Sequence, residues 1–258
     1  MAQRPDRTSQ KSFELFDDSA IFEFHNHTHI QITISADSHW CFPLHWHTQN
    51  PNNCVKVTNV KGRLQVFYST RRLPSGISML PPGSSFNFKP EHHYGFSSNM
   101  DNHELVVLLE AEESQINLHR NICSVVTDAQ LYPSLASTPC WIRILYQALS
   151  YSPQTQRHFI AKLLWIEIQM MRYTHDFYVV HGWINAPYLW WLAHPWEECR
   201  EPQWTYDITW WSCAAISRVV QGICYWVGNL LLGMKGEYRE YTPTRCMTEG
   251  EGLRGKQG

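Results

Sequence analysis

The sequence predicts an α+β fold: an antiparallel β-barrel over about residues 13–115, then a mostly helical, aromatic-rich C-terminal extension. Three observations predict it. Apolar and polar residues alternate in many short runs separated by turn formers. The apolar period changes to helical spacing after about residue 115. Ten of the 12 Trp lie after residue 140, so the two halves differ in composition.

Residues 1–12 are polar and read as a disordered tail. Alternation begins at Phe13 and continues through Ile21-Phe22-Glu23-Phe24 and His29-Ile30-Gln31-Ile32-Thr33-Ile34. Further strands fall at 42–47, 55–60, 63–69, 76–80, 85–88, 93–96 and 104–110. Their separators are Asn50-Pro51-Asn52-Asn53, Lys61-Gly62, Pro74-Ser75-Gly76 and Pro81-Pro82-Gly83. Thr138-Pro139 offers an N-cap and a first helical residue. Residues 156–173 carry Ile160, Leu163, Leu164, Ile168 and Met171 on one apolar face. Pro187, Pro195 and Pro202 break the aromatic stretch 184–207, and 208–234 is an apolar helix closed by Lys235-Gly236. The chain thus divides into a tail (1–12), a barrel domain (13–125), a helical extension packed on the barrel or forming a lid (126–242) and a second tail (243–258).

Composition removes several function classes. The net charge of -2 gives no reason to expect a nucleic-acid partner. The 8 Cys form no Cys-x-x-Cys pair, and no apolar leader precedes the barrel, so a reducing cytoplasmic location is expected. No nucleophile elbow, phosphate loop or dinucleotide fingerprint occurs. The segment 208–234 is long enough to span a bilayer, but Arg218, Gln221 and Asn229 interrupt it. It is read as a helix capping the barrel, with peripheral membrane contact and a true span as the alternatives.

The chemistry-bearing residues are histidines. In the run Leu44-His45-Trp46-His47, a strand sends His45 and His47 to one face and Trp46 to the other. His92 and His93 form a second pair, with His93 expected to face inward beside Tyr94 and His92 to point away. The alternating His25, His27 and His29 read as a polar strand face, with His29 the one turned inward. Glu91 shares the facing of His93 on a regular strand, and Glu110 and Glu112 end a core strand. Tyr188, Trp190, Trp191, Trp196, Trp204, Trp210 and Trp211 are candidates for the wall of a lipophilic cavity or for plain helix packing.

The strings Phe22-Glu23-Phe24-His25, His45-Trp46-His47, Gly62-Arg63-Leu64-Gln65-Val66, Arg120-Asn121-Ile122 and Leu231-Leu232-Gly233 resemble a fungal cupin (RmlC-like) family of secondary-metabolite biosynthesis proteins. The resemblance implies a barrel that commonly pairs into a homodimer. It also implies a metal held by three His and one Glu, in oxidoreductases, although some relatives are cyclases or pericyclases. The family's Glu falls seven residues before its glycine, which here is Val55.

The reading chosen is therefore a cofactor-free cyclase of intramolecular Diels–Alder type, acting on a hydrophobic, terpenoid intermediate in the barrel pocket. Its catalytic hydrogen-bond donors would be His45, His47, His93 or Tyr94. Its substrate contacts would be His29, Val55, Glu91, Trp190 and Trp191. The alternatives are an oxidoreductase holding a divalent metal such as iron on His45, His47 and His93, and a small-molecule binding protein.

Overall fold

The computed structural model describes residues 3–15, 19–38, 40–47, 55–69, 76–89, 92–98, 103–135, 138–149, 151–179 and 203–243. Among the described residues there are eleven strands: β1 (Ser12–Leu15), β2 (Ala20–Phe24), β3 (His29–Ile34), β4 (Cys41–His47), β5 (Val55–Lys61), β6 (Leu64–Ser69), β7 (Gly76–Leu80), β8 (Ser85–Phe88), β9 (His93–Ser98), β10 (Leu105–Glu110) and β11 (Phe177–Val179). The helices are α1 (Glu113–Thr127), α2 (Cys140–Ala148), α3 (Pro153–Thr174) and α4 (Gln203–Leu230), with a 3-10 turn at Ala129–Ser134.

The strands form two antiparallel sheets, ordered β1-β2-β3-β10-β5-β8 and β11-β4-β9-β6-β7. Strands β3 to β10 alone give β3-β10-β5-β8 facing β4-β9-β6-β7, which is the eight-stranded double Greek key of a jelly roll. The fold is α+β and cupin-like, as expected. Alternation sets its core. Ile30, Ile32 and Ile34 of β3, Val55 and Val57 of β5, and Leu105, Val107 and Leu109 of β10 are all buried between the sheets. Phe88 of one sheet stacks on Tyr94 of the other, with centroids 4.0 Å apart.

Gly62 turns β5 into β6 with a φ of +89°, and a Cβ there would lie 2.5 Å from the Glu104 carbonyl oxygen. Only glycine fits that close approach without strain.

Two additions sit on the same side of the jelly roll. The hairpin β1–β2 extends one sheet beyond β3, and β11 extends the other beyond β4. Helix α1 packs on β1 and α3, and α3 packs on β11. The sandwich is thus widened on one flank and closed there by helices.

Several expectations are corrected. Residues 3–11 are not a free tail: Arg4 reaches Glu167 of α3 at 2.6 Å, and the Arg7 backbone N–H donates to the Glu240 carbonyl at 2.8 Å. Residues 113–127 are a helix, in keeping with the change to helical spacing expected after about residue 115. Thr138 does not cap α2, because its hydroxyl donates to the Tyr132 carbonyl at 2.6 Å. Helix α3 starts at Pro153, three residues before the expected start, because Ser152 Oγ accepts from the Thr155 N–H at 3.3 Å. Helix α4 ends at Leu230, and the chain turns at Gly233 (φ +65°) rather than at Lys235-Gly236.

Helix α4 packs along α3 and against β11, where Gln221 donates to the Phe177 carbonyl at 3.2 Å. Among the described residues, no helix is long and apolar enough to cross a membrane.

Candidate functional site

Among the described side chains, His45 and His93 do not converge. Residues directly opposed in an antiparallel pair share a face. His45 opposes Tyr94, so both point between the sheets, and their rings lie 4.2 Å apart. Trp46 and His93 are the next residues along and therefore share the opposite face, with ring centroids 4.6 Å apart. His93 thus does not face inward as expected. Trp46 stacks in turn on Tyr178, and Arg218 of α4 lies over the Tyr178 ring at 5.0 Å. Burial holds the His93 imidazole well below its usual pKa, so it stays neutral in this apolar ladder.

His45 and His93 stand on opposite faces of one sheet and cannot ligate one ion together. Of His47 only the backbone position is described; it opposes Phe177 of β11. No group of three potential metal ligands occurs among the described residues.

The other expected contacts also separate. His29 is not turned inward: it shares a face with Gln31 and Thr33, and its Nδ1 lies 3.0 Å from Asn26 Oδ1 in a surface turn. Val55 is buried in the core opposite Phe88. Glu91, Trp190 and Trp191 lie outside the described residues. Glu110 pairs with Lys56 at 3.4 Å on the surface.

A cavity of about 250 Å3 lies at the flank of the barrel, not at its centre. Its floor and walls come from Leu15 of β1, Phe22 of β2, Trp40, and Phe42 of β4. Phe177 of β11 closes one side, and Ile122, Val126 and Ile168 of α1 and α3 form the roof. The two added edges and the two helices therefore create it together.

His45 lies just behind its wall. The Phe177 ring stacks on His45 at 4.0 Å and 9°, and His45 Nδ1 donates to the Pro43 carbonyl at 2.8 Å.

Four polar or sulfur-bearing side chains line the cavity: His119, Arg172, Cys41 and Cys123. Burial raises both thiols, so they stay protonated and serve as small apolar wall groups. The His119 ring sits 5.3 Å from Phe42 and edge-on to Phe177 at 5.8 Å. Arg172 lies on the last turn of α3, 5.7 Å from the Phe177 ring. Its Nη1 donates to the Gln169 amide oxygen at 3.2 Å, and its Nε is shielded from solvent without a hydrogen-bond partner. Burial alone pulls its pKa down to about 10, which leaves it cationic at neutral pH.

These residues escaped the sequence reading for physical reasons. A basic residue in a last helical turn ordinarily complements the helix dipole, and Arg172 fits that role on paper. His119 sits among buried polar neighbours (Gln115, Arg120, Asn121 and Ser124), which blur the apolar stripe of α1. The one available signal is the resemblance string Arg120-Asn121-Ile122, which adjoins His119 and includes the lining residue Ile122.

No family model matches the chain. No curated protein matches it either. Solved structures do resemble it. CENP-C of Drosophila melanogaster bound to CAL1 is 11% identical, with 39% of this chain and 75% of that chain covered and a TM-score of 0.30. The hydroxypropylphosphonic acid epoxidase from S. wedmorenis is 10% identical, covering 43% of this chain and 58% of that one at a TM-score of 0.30. CapF with an inhibitor is 11% identical, covering 39% and 30% at 0.33. At this identity and superposition, neither the epoxidase's chemistry nor CENP-C's partner carries over to this chain.

Proposed function

We propose that the chain is a cyclase that closes a ring in a small apolar molecule held in the flank cavity. The observation that supports this reading is a cavity walled by apolar groups, whose strongly polar lining, His119 and Arg172, carries N–H groups and includes no carboxylate. A pericyclic closure needs no proton relay. It needs reactive ends held in near-attack geometry, which contributes on the order of 7–11 kcal/mol in well-oriented intramolecular reactions. A donor fixed on a substrate carbonyl stabilises charge as it develops.

Drug-sized pockets run to about 300–1,000 Å3. This cavity, at about 250 Å3, therefore suits a compact substrate, one of roughly ten carbon atoms. The metal-dependent alternative requires His45, His47 and His93 on one ion, and two of these occupy opposite faces of the sheet.

The test uses chelator-treated protein and a short lipophilic triene bearing a carbonyl, with product formation followed by chromatography. Turnover is expected at the same rate before and after chelation. Val126→Phe, which fills the cavity, should lower turnover by at least about tenfold while leaving the fold intact, because overpacking a cavity lining typically costs about 1–3 kcal/mol. Full activity in Val126→Phe would overturn the cavity assignment. Binding without turnover would leave a binding protein.

A further inference from the structure

We infer that the molecule this cavity takes is an apolar carboxylic acid, its carboxylate received by the guanidinium of Arg172. The inference rests on reading the cavity as a small-molecule site and specifies what that molecule carries.

Arg4 and Arg7, in the N-terminal segment, each find a carboxylate. Arg4 bonds to Glu167 at 2.6 Å, and Arg7 bonds through Nε to Asp128 at 3.1 Å. Arg172 differs. Among the described residues it forms no ion pair, and its one hydrogen-bond partner is a neutral amide, Gln169. Its Nε is shielded and unbonded, and nothing but burial perturbs its charge.

A cation with its Nε donor unused beside apolar walls is a charge waiting for a counter-charge. The guanidinium offers a planar fork of donors that matches a carboxylate at two points. Arg172 is the one guanidinium or ammonium group among the described residues of the cavity lining, which matches a single negative charge better than a phosphate dianion. A singly charged acid with an apolar body uses both parts of the site. The body takes the space between Trp40, Phe42 and Ile168, and the headgroup lies at the last turn of α3. In the cyclase reading, the anchored end leaves His119 as the donor for the reacting part.

The experiment is calorimetric titration of the full chain at pH 7.5 with decanoate and with 1-decanol, which differ in the headgroup. Decanoate is expected to bind wild type at least about tenfold more tightly than decanol, the value of a charge-assisted pair. In Arg172→Met that preference should fall to within about threefold, with decanol affinity kept, since the change removes the charge and leaves the volume. Arg172→Lys should retain part of the preference, and it serves where the Met variant does not fold. Equal binding of the two by wild type overturns the inference while leaving the cavity reading intact. Binding of neither overturns the cavity reading, and the inference with it.

Discussion

Replacing Arg4 by Ala is expected to lower folding stability by about 3–5 kcal/mol, the usual result of stranding one member of a buried ion pair. Its partner Glu167 is fully buried, and Arg4 is nearly so. The same Glu167 oxygen accepts from the Tyr238 hydroxyl, and the Arg4 guanidinium lies 4.0 Å over the Tyr238 ring. Tyr241 bonds to Asp128 at 2.8 Å, and Asp128 also holds Arg7. The network therefore ties four stretches together: residues 4–7, the end of α1 at Asp128, helix α3 and residues 238–241. Urea unfolding at pH 8, above the value of about 7 to which Glu167 is pushed, measures the loss. Arg4→Ala with Glu167→Gln should recover much of it, because the stranded charge is gone. A single-variant loss below about 1 kcal/mol would show that the network is not a structural tie.

The same pair gives a pH signature. Burial pushes the Glu167 carboxyl from 4.5 up to about 7, and Arg4 and Tyr238 offset only part of that. Below pH 4.5 both folded and unfolded chains carry this proton. Between 4.5 and about 7 only the folded chain holds it, so stability falls as pH rises through that window. The fall reaches roughly 3 kcal/mol, at 1.36 kcal/mol per pKa unit. His93 acts in the opposite sense. Its folded pKa is lowered, so its contribution is lost as pH falls below 6.5. The Glu167 term is isolated as wild type minus Glu167→Gln across pH 4.5–8. A flat difference would place the folded-state pKa of Glu167 near its ordinary value.

How much of this was legible in the sequence depends on where one-dimensional pattern carries the information. Strands β7 and β8 fall at the expected residues because strand runs end on Pro81-Pro82-Gly83. The facing of His93 was not legible, because His93 and Tyr94 are both buried and alternation carries no sign when both faces are covered. An irregularity between Phe42 and His45 further shifts the parity of β4. Strand β11 has three residues and earns its place by pairing with β4, a contact more than 130 residues distant in sequence. Arg4 and Arg7 read as a solvated tail for the same reason: Glu167 and Asp128 meet them only in the folded chain. The flank cavity follows this rule too, since its lining comes from four strands and two helices.

Phe177→Ala is the other change expected to act strongly. Phe177 is 2% exposed, and deleting such a ring typically costs about 3–5 kcal/mol. Its position adds a functional consequence. One face of the ring stacks on His45, while the residue also lines the cavity and meets His119 edge-on at 5.8 Å. Truncation therefore removes the partition between the cavity and the inward-facing His45. The variant should melt well below wild type and should accept longer acids, with the optimum chain length shifted upward. Phe177→Leu keeps most of the wall and should lose less stability, with a smaller shift in ligand length. Adding His45→Ala to Phe177→Ala then asks whether the exposed imidazole contributes to binding. A Phe177→Ala variant with wild-type ligand-length preference would mean that the space collapses instead of opening. The inward His45 would then be a packed core residue with no path to the ligand.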